Sequence, residues 1–344
     1  MYLDHNATTP LSQSARAAMI AAMDLCGNPS SVHAEGRAAR GLVETARTQL
    51  AEAIGASGAD IVFTSGATEA AALALAGRGL RAGAVEHDAV MAWVDATLPV
   101  DAQGRVTVDD PAATTLQWAN SETGMVQELP KGLAVSDVTQ GFGKLPFSYS
   151  WAGVGMVFLS AHKIGGPKGV GALVIPQGYD LAAQIRGGGQ EMGRRSGTEN
   201  VIGIAGFGAA AQAAMRDLAD GIWEAVASRR DLLEEAIASR AKDTIFVGKG
   251  AMRLPGTSCL ASPGWKGETQ VMAMDLAGFA ISAGSACSSG KVRPSRVLTA
   301  MGYGADVAGS AIRVSLGPQT SDDDVLRFAD AWCAKQARTQ ARVA

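Results

Sequence analysis

Apolar positions recur with two different periods along this chain. Over Gln13–Met23 and Glu35–Ile54 they return every three to four residues, which predicts amphipathic helices, the second Ala-rich with few breakers. Asp60–Thr64 is a short apolar run that reads as a strand. It leads through Ser65-Gly-Ala-Thr-Glu69 into an Ala/Leu-rich helix predicted to reach about Leu80. Thr114–Trp118, Ala134–Val138, Met156–Ser160 and Gly171–Ile175 are further short apolar runs, as expected for strands of a sheet covered on both faces. Val201–Leu218 and Gly221–Arg240 read as long helices. Alternating β and α units imply an α/β fold with a mostly parallel sheet. From about Leu218 the pattern mixes strands and helices, so a distinct C-terminal portion is expected. There is no internal repeat or low-complexity linker, and the polar stretch 334–344 reads as a frayed end.

Composition narrows the function classes. Among 344 residues, 33 are acidic and 30 basic, a net charge of −3, so no basic surplus drives nucleic-acid binding. Hydrophobic residues make up 47% and charged residues 18%, the balance of a folded domain rather than a disordered chain. The longest apolar stretches, Ala17–Met23 and Ile202–Ala211, are too short or too rich in small residues to span a bilayer. Residues 1–20 lack the basic-then-apolar pattern of a secretory signal, so a cytoplasmic location with no membrane association is expected. Cys26, Cys259, Cys287 and Cys333 are scattered, with neither zinc-knuckle nor disulfide-framework spacing and no metal site implied. The 42 glycines cluster at a few loops, where backbone can approach a ligand closely.

Four segments carry candidate chemistry. Ser65-Gly-Ala-Thr-Glu69 joins strand to helix and reads either as a helix cap or as a phosphate cradle without a Walker lysine. The Gly-Lys pairs at 143–144, 248–249 and 290–291 lack both the first glycine and the Ser/Thr of a Walker motif, and no strand-linked G-x-G-x-x-G is present. Lys163 follows the apolar run Met156–Ser160 and precedes a glycine turn. It is either an exposed loop lysine or a desolvated amine able to form a Schiff base. Asp137 ends a short apolar strand, where a carboxylate needs a partner such as a pyridinium nitrogen, or else forms an Asx-turn. Cys287 lies in Ile281-Ser-Ala-Gly-Ser-Ala-Cys-Ser-Ser-Gly290, among small polar residues and ahead of Lys291 and Arg293, a setting that favours a reactive thiolate over a buried structural cysteine.

Taken in order, the motifs resemble those of the cysteine desulfurases of the class V aminotransferase group, in the subgroup with a long cysteine loop. They are Tyr2-Leu-Asp-His-Asn-Ala-Thr-Thr-Pro10, Gly27-Asn-Pro-Ser-Ser31, Phe63-Thr-Ser-Gly-Ala-Thr-Glu69, Glu86-His87, Glu122-Thr-Gly124 and Asp137-x-x-Gln140-x-x-Gly143-Lys-x-Pro146. Ser160-x-His162-Lys163, Arg195-Ser-Gly-Thr-x-Asn200, Gly284-Ser-Ala-Cys-Ser-Ser289 and Ile312-Arg-x-Ser-Leu-Gly317 complete the set, which covers residue 2 to about 317. The resemblance implies a fold type I transferase dependent on pyridoxal 5'-phosphate (PLP), with a large PLP domain over 13–217 and a small domain of 1–12 plus 218–344. It implies conversion of L-cysteine to L-alanine, with the sulfur held as a persulfide on Cys287 for transfer to an acceptor protein in iron–sulfur cluster assembly or thiolation.

The same resemblance assigns roles. Lys163 would hold PLP and move the substrate's α-proton, Asp137 would pair with the pyridinium nitrogen, and Gln140 would meet the ring hydroxyl. His87 would stack on the ring and shuttle protons. Ala67, Thr68, Ser160 and His162 would hold the phosphate, with Thr198 reaching it across a homodimer interface. Arg313 would clamp the substrate carboxylate. Two departures stand out. The family's ring-side asparagine falls on Ser121, with Asn120 one position earlier, so either residue is a candidate for the cofactor and Asn120 for the substrate. Only 14 residues separate Ala119 from Ala134, and Pro130 and Gly132 disfavour a helix there, so an irregular crossover and a thinly covered sheet face are expected, with a partner covering that face. Alternatives to the desulfurase are a selenocysteine lyase or other class V PLP enzyme, and an inactive scaffold that binds sulfur-transfer partners.

Overall fold

The structure, a computed structural model, describes residues 1–284 and 294–343. Its first part runs α1 (Gln13–Met23), α2 (Ala34–Ala53), β1 (Ala59–Thr64), α3 (Ala67–Leu75), β2 (Arg81–Gly83), α4 (Asp88–Met91), β3 (Asp95–Leu98), β4 (Val135–Asp137), α5 (Tyr149–Ala152), β5 (Met156–Ser160), β6 (Gly171–Pro176) and α6 (Val201–Ala219). The second part runs α7 (Ile222–Ala238), β7 (Ile245–Phe246), β8 (Thr257–Ala261), α8 (Gly267–Asp275), β9 (Ser282–Ala283), α9 (Arg296–Ala300), α10 (Ala305–Ser310), β10 (Ala311–Ser315) and α11 (Asp322–Val343).

The main sheet has the order β1-β6-β5-β4. Parallel bridges Thr115–Val135 and Arg81–Thr114 carry it on to the parallel pair β2-β3. Only β6 runs against the rest, pairing antiparallel with both β1 and β5, so the sheet is mostly parallel as its hydrophobic runs imply. All five residues of β5 are buried, because α2 and α6 lie over one face and α3 over the other. A second sheet, β7-β8-β10-β9, is antiparallel throughout and packs with α7 and α11 around Leu260, Ile312, Val314, Phe328 and Trp332. Leu3 enters that second core, and Leu3 N–H donates to the Ala280 carbonyl, so the N-terminal arm is tied to the C-terminal sheet.

Three local expectations are corrected. The helix after Glu69 stops at Leu75, not Leu80, because Gly77 and Gly79 take left-handed backbone (φ 72° and 62°) that ends the turn. Thr114–Trp118 is extended but pairs only through isolated bridges: the Gln117 N–H donates to the Glu86 carboxylate (2.7 Å), so a side chain takes the place of a neighbouring strand. The chain between Gly124 and Ala134 is indeed irregular. The sheet beside it is nevertheless covered, since Val135 and Ser136 are fully buried. The Trp118 and Phe147 rings meet at a tilt with centroids 4.9 Å apart, and Val126, Leu133 and Leu129 pack into the same core.

Candidate active site

The first wall of the site is the carboxyl end of the main sheet. β5 ends at Ser160, and one turn of 3-10 helix, Ala161–Lys163, carries His162 and Lys163 off it. The Lys163 ammonium donates to the carbonyls of Asn6 (2.6 Å) and Ala7 (2.9 Å), so the N-terminal arm lies across the amine. Asp137 ends the adjacent strand β4. Burial pushes its carboxyl above the ordinary range, while the Thr139 N–H (2.9 Å) and the facing His87 and Lys163 pull it back.

The second wall is the start of α3. Its N-cap is Gly66, which supplies no side-chain cap, so the capping alternative for Ser65 or Thr68 is not realised. Thr68 is exposed there and Ala67 half-buried. A Cβ on Gly171 would lie 2.5 Å from Gly66, so β6 needs glycine at that point to reach the turn, and Ser160 Oγ sits 3.9 Å from the position of a Gly66 Cβ. Ser160 is buried, and His162 Nδ1 lies 3.2 Å from Thr8 Oγ1. Burial and the nearby Lys163, Lys168 and Lys144 lower the His162 pKa to about 4, which keeps the ring neutral.

His87 forms the N-cap of α4. Its Nδ1 accepts the Ala89 N–H (3.1 Å), which places the ring proton of the neutral form on Nε2, and the side chain is exposed. Arg313, on β10, closes the site from the second sheet. Its guanidinium donates to Asp4 Oδ1 (2.7 Å) and to the Ser121 carbonyl (3.0 Å), while the buried Nε has no hydrogen-bond partner among the described residues. An incoming carboxylate would therefore compete with Asp4 for the guanidinium.

Asn120 and Ser121 are separated by the backbone. Asn120 is buried, its Nδ2 donates to the Val85 carbonyl (3.0 Å), and its Oδ1 accepts from Glu122 N, Thr123 N and Thr123 Oγ1. That amide is committed to closing the turn 120–124. Ser121 is half-buried, and its carbonyl accepts from Arg313 and from Asn6 Nδ2 (3.1 Å). Thr198 is exposed on the loop into α6, next to Arg195, which pairs with Glu69 of α3 at 2.8 Å. Cys287, with Lys291 and Arg293, lies outside the described residues. Of the other cysteines, burial pushes the Cys259 thiol up to about 12 and raises that of Cys333, while Cys26 is exposed.

Several residues of the site sit inside the quoted motifs without a role read from the sequence. Asn6 is the hub: its carbonyl accepts from Gln140 Nε2 (2.9 Å) and Lys163, and its amide donates to Ser121 O and Thr257 Oγ1. His5 is buried, its Nδ1 has no hydrogen-bond partner among the described residues, and a Cβ on Gly317 would stand 2.1 Å from its ring, so only glycine fits there. Glu86 and Glu122 are carboxyls held up by burial, to about 8 and about 7. Their motif positions were the signal; their burial was not legible. Among the described residues no cluster of metal-ligating side chains occurs.

These residues fit PLP. Lys163 would supply the amine, and the half-buried Asp137 facing it would supply a partner for a ring nitrogen. The α3 start lacks a side-chain cap beside Ser160, as a phosphate site requires.

The comparisons agree with this geometry. The family model for aminotransferase class-V matches residues 1–328. A cysteine desulfurase of Cereibacter sphaeroides is 39% identical, with 95% of this chain and 93% of that protein covered. One of Gluconacetobacter diazotrophicus is 38% identical, covering 96% and 92%. The solved structure of a NifS-like protein from Rickettsia africae superposes with a TM-score of 0.89 at 30% identity, covering 98% of this chain and 99% of that one. The chain belongs to the class-V aminotransferase family, among its cysteine desulfurases, and is a PLP-dependent enzyme of fold type I.

Proposed function

We propose that the protein removes sulfur from L-cysteine, releases L-alanine and holds the sulfur as a persulfide on Cys287 for an acceptor protein. The observation that carries this reading is that Lys163 and Arg313 are tied together through Asn6 and the Ser121 carbonyl, with Asp137 facing Lys163, in a chain whose relatives are named cysteine desulfurases. When bound, PLP supplies an electron sink for the substrate's α-carbon. Lys163 Nζ takes and returns the α-proton. Asp137 holds the ring nitrogen and Gln140 the ring hydroxyl. Ala67, Thr68, Ser160 and His162 hold the phosphate. Arg313 binds the substrate carboxylate through two parallel bonds, displacing Asp4. His87, whose neutral form carries its proton on Nε2, would stack on the ring and shuttle protons. The Cys287 thiolate attacks the substrate's sulfur: the carbon–sulfur bond breaks with its electron pair left on the carbon side, a sulfur–sulfur bond forms, and the carbon fragment takes up one proton, matching the one the Cys287 thiol gave up, and leaves as alanine. Asn120 Oδ1 is taken up by its own turn and Nδ2 by the Val85 carbonyl, which leaves Ser121 as the ring-side residue.

The enzyme acts as a homodimer in which Thr198 reaches the partner's phosphate site. Its exposure supports this, as do the apolar Ile20, Met23 and Val32 left exposed on and after α1 (45%, 59% and 85%). No described helix is long and apolar enough to cross a membrane. A cytoplasmic location suits four scattered thiols. The test is turnover of L-cysteine by the PLP-loaded protein. Wild type forms alanine and a persulfide on Cys287. Cys287→Ser keeps the cofactor's visible absorption and forms no persulfide, and Lys163→Ala loses both the absorption and turnover. A persulfide that appears on Cys26, Cys259 or Cys333 instead sinks the assignment. Strong preference for selenocysteine with no alanine from cysteine would favour the lyase.

A further inference from the structure

Beside the pocket lies a lysine that the reaction above does not use. Lys144 sits in the turn after β4 and is 4% exposed. Among the described residues its ammonium has one hydrogen-bond acceptor, Gln140 Oε1 at 3.2 Å. An ammonium carries three donors, and burying it with a single neutral acceptor is costly. The charged groups that face it make matters worse: Lys163 and Arg313 are of the same sign, and His5 and His162 also feel its charge. Burial and the two cations lower the Lys144 pKa to about 7.

The hydrogen bonds also fix an orientation. In its charged form Lys144 can only donate, so Gln140 turns Oε1 towards it. The Asn6 carbonyl can only accept, so Gln140 must turn Nε2 towards the arm, as the 2.9 Å bond shows. Both demands are met by the same rotamer of one amide, which leaves the second Nε2–H of Gln140 to offer to a ligand. In the reverse orientation the amide would set NH2 against an ammonium and oxygen against oxygen.

We propose that Lys144 is a positioning residue for the cofactor: it locks the Gln140 amide with its donor side towards the ring oxygen of PLP, and its own charge is compensated once the anionic cofactor is seated. This rests on the assignment of Gln140 to the ring hydroxyl. A lysine kept only for packing would stabilise the protein with or without PLP. A lysine kept for the cofactor is a liability to the apoprotein, because an uncompensated buried charge is lost on replacement by an apolar side chain of similar length.

The experiment uses Lys144→Met, Gln140→Leu and the double variant in the full-length protein. PLP dissociation is followed by visible absorption, and melting temperature is measured with and without PLP. For Lys144→Met we expect about tenfold weaker PLP retention together with a higher melting temperature of the apoprotein. Gln140→Leu should weaken retention at least as much, and the double variant no further, since the two act through one bond. Retention unchanged in Lys144→Met but lost in Gln140→Leu overturns the role of Lys144 and leaves that of Gln140 standing. Unchanged retention in Gln140→Leu overturns the Gln140 assignment, and the proposal with it. Equal loss of melting temperature in the apo and PLP-loaded forms of Lys144→Met shows a structural lysine and also overturns it. If Lys144→Met does not fold, Lys144→Gln, which keeps a donor, carries the same comparison; failure of both to fold counts against the proposal.

Discussion

Arg313 shows how much one side chain's surroundings decide. Its guanidinium is held by Asp4 and the Ser121 carbonyl in a planar, two-sided grip. A lysine there would keep the charge and lose the fork. Arg313→Lys is expected to raise the apparent KM for L-cysteine by roughly an order of magnitude while PLP absorption is unchanged, a loss in keeping with charge-assisted hydrogen bonds. An unchanged KM removes Arg313 from the substrate site. Glu86 illustrates the same dependence on burial. One carboxylate oxygen accepts the Gln117 N–H, the other is buried with no hydrogen-bond partner among the described residues, and Asp137 and Arg296 face the group. In the folded protein it keeps its proton up to about 8, whereas the unfolded chain releases it near 4.5. Between those values the unfolded state binds fewer protons, so this group makes stability fall as pH rises through the window. Glu86→Gln is expected to flatten that fall, with its largest gain over wild type at and above pH 8 in denaturant titrations run across the pH range. Parallel pH profiles for the two proteins would show that Glu86 carries no such linkage.

At the scale of elements, charged pairs hold the segment between β6 and α6 onto the sheet. Glu191 is buried, accepts from Arg47 at 2.8 and 3.0 Å, and also accepts the Phe63 N–H of β1 at 2.9 Å. Arg194 pairs with Asp60 at 2.8 Å and Arg195 with Glu69. The grip is tight enough to hold Glu191 and Met192 in left-handed backbone (φ 48° and 57°), a conformation that costs a non-glycine residue about 1–2 kcal/mol. Glu191→Ala leaves Arg47 without its buried partner, and about 3–5 kcal/mol of stability should be lost in urea titration. A loss below 1 kcal/mol would mean that the segment is held by other means. The turn 120–124 is the counterpart on the other side of the site: a cap built by Asn120, where the family's spacing alone left two residues in contention.

For the whole molecule, the decisive feature is that the site has walls from both sheets. Lys163 and Asp137 come from the main sheet and Arg313 from the second, with the arm 1–12 lying between them through Asn6 and Asp4. A third wall is expected from a second copy. Sedimentation of the PLP-loaded protein should give a dimer, and Thr198→Ala should weaken PLP retention in it. A fully active monomer would refute the shared site. The shortened crossover needs no partner to cover it, because Trp118, Phe147 and the irregular chain after Gly124 bury the strand beneath them.

Residue pattern alone determined the elements with strong periods. α1 begins and ends where its apolar spacing does, β5 coincides with its hydrophobic run, and a mostly parallel sheet follows from strands with no polar face. Pattern also located candidate chemistry, because Lys163 and Asp137 at strand ends stand out against apolar neighbours, whereas His87 and His162 were pointed to only by the family resemblance. Tertiary structure decided what pattern has no term for. Thr114–Trp118 is as apolar as a strand, yet its ladder is interrupted by a carboxylate that arrives from residue 86. Asn120 and Ser121 are equivalent as letters, and only the turn's hydrogen bonds separate them. Glu86, Glu122, Lys144 and His5 read as ordinary polar residues along the chain. Their altered proton affinities come first from desolvation and then from charges on other elements, such as Arg296 for Glu86 and Lys163 and Arg313 for Lys144, which meet them only after the two sheets and the N-terminal arm have closed together.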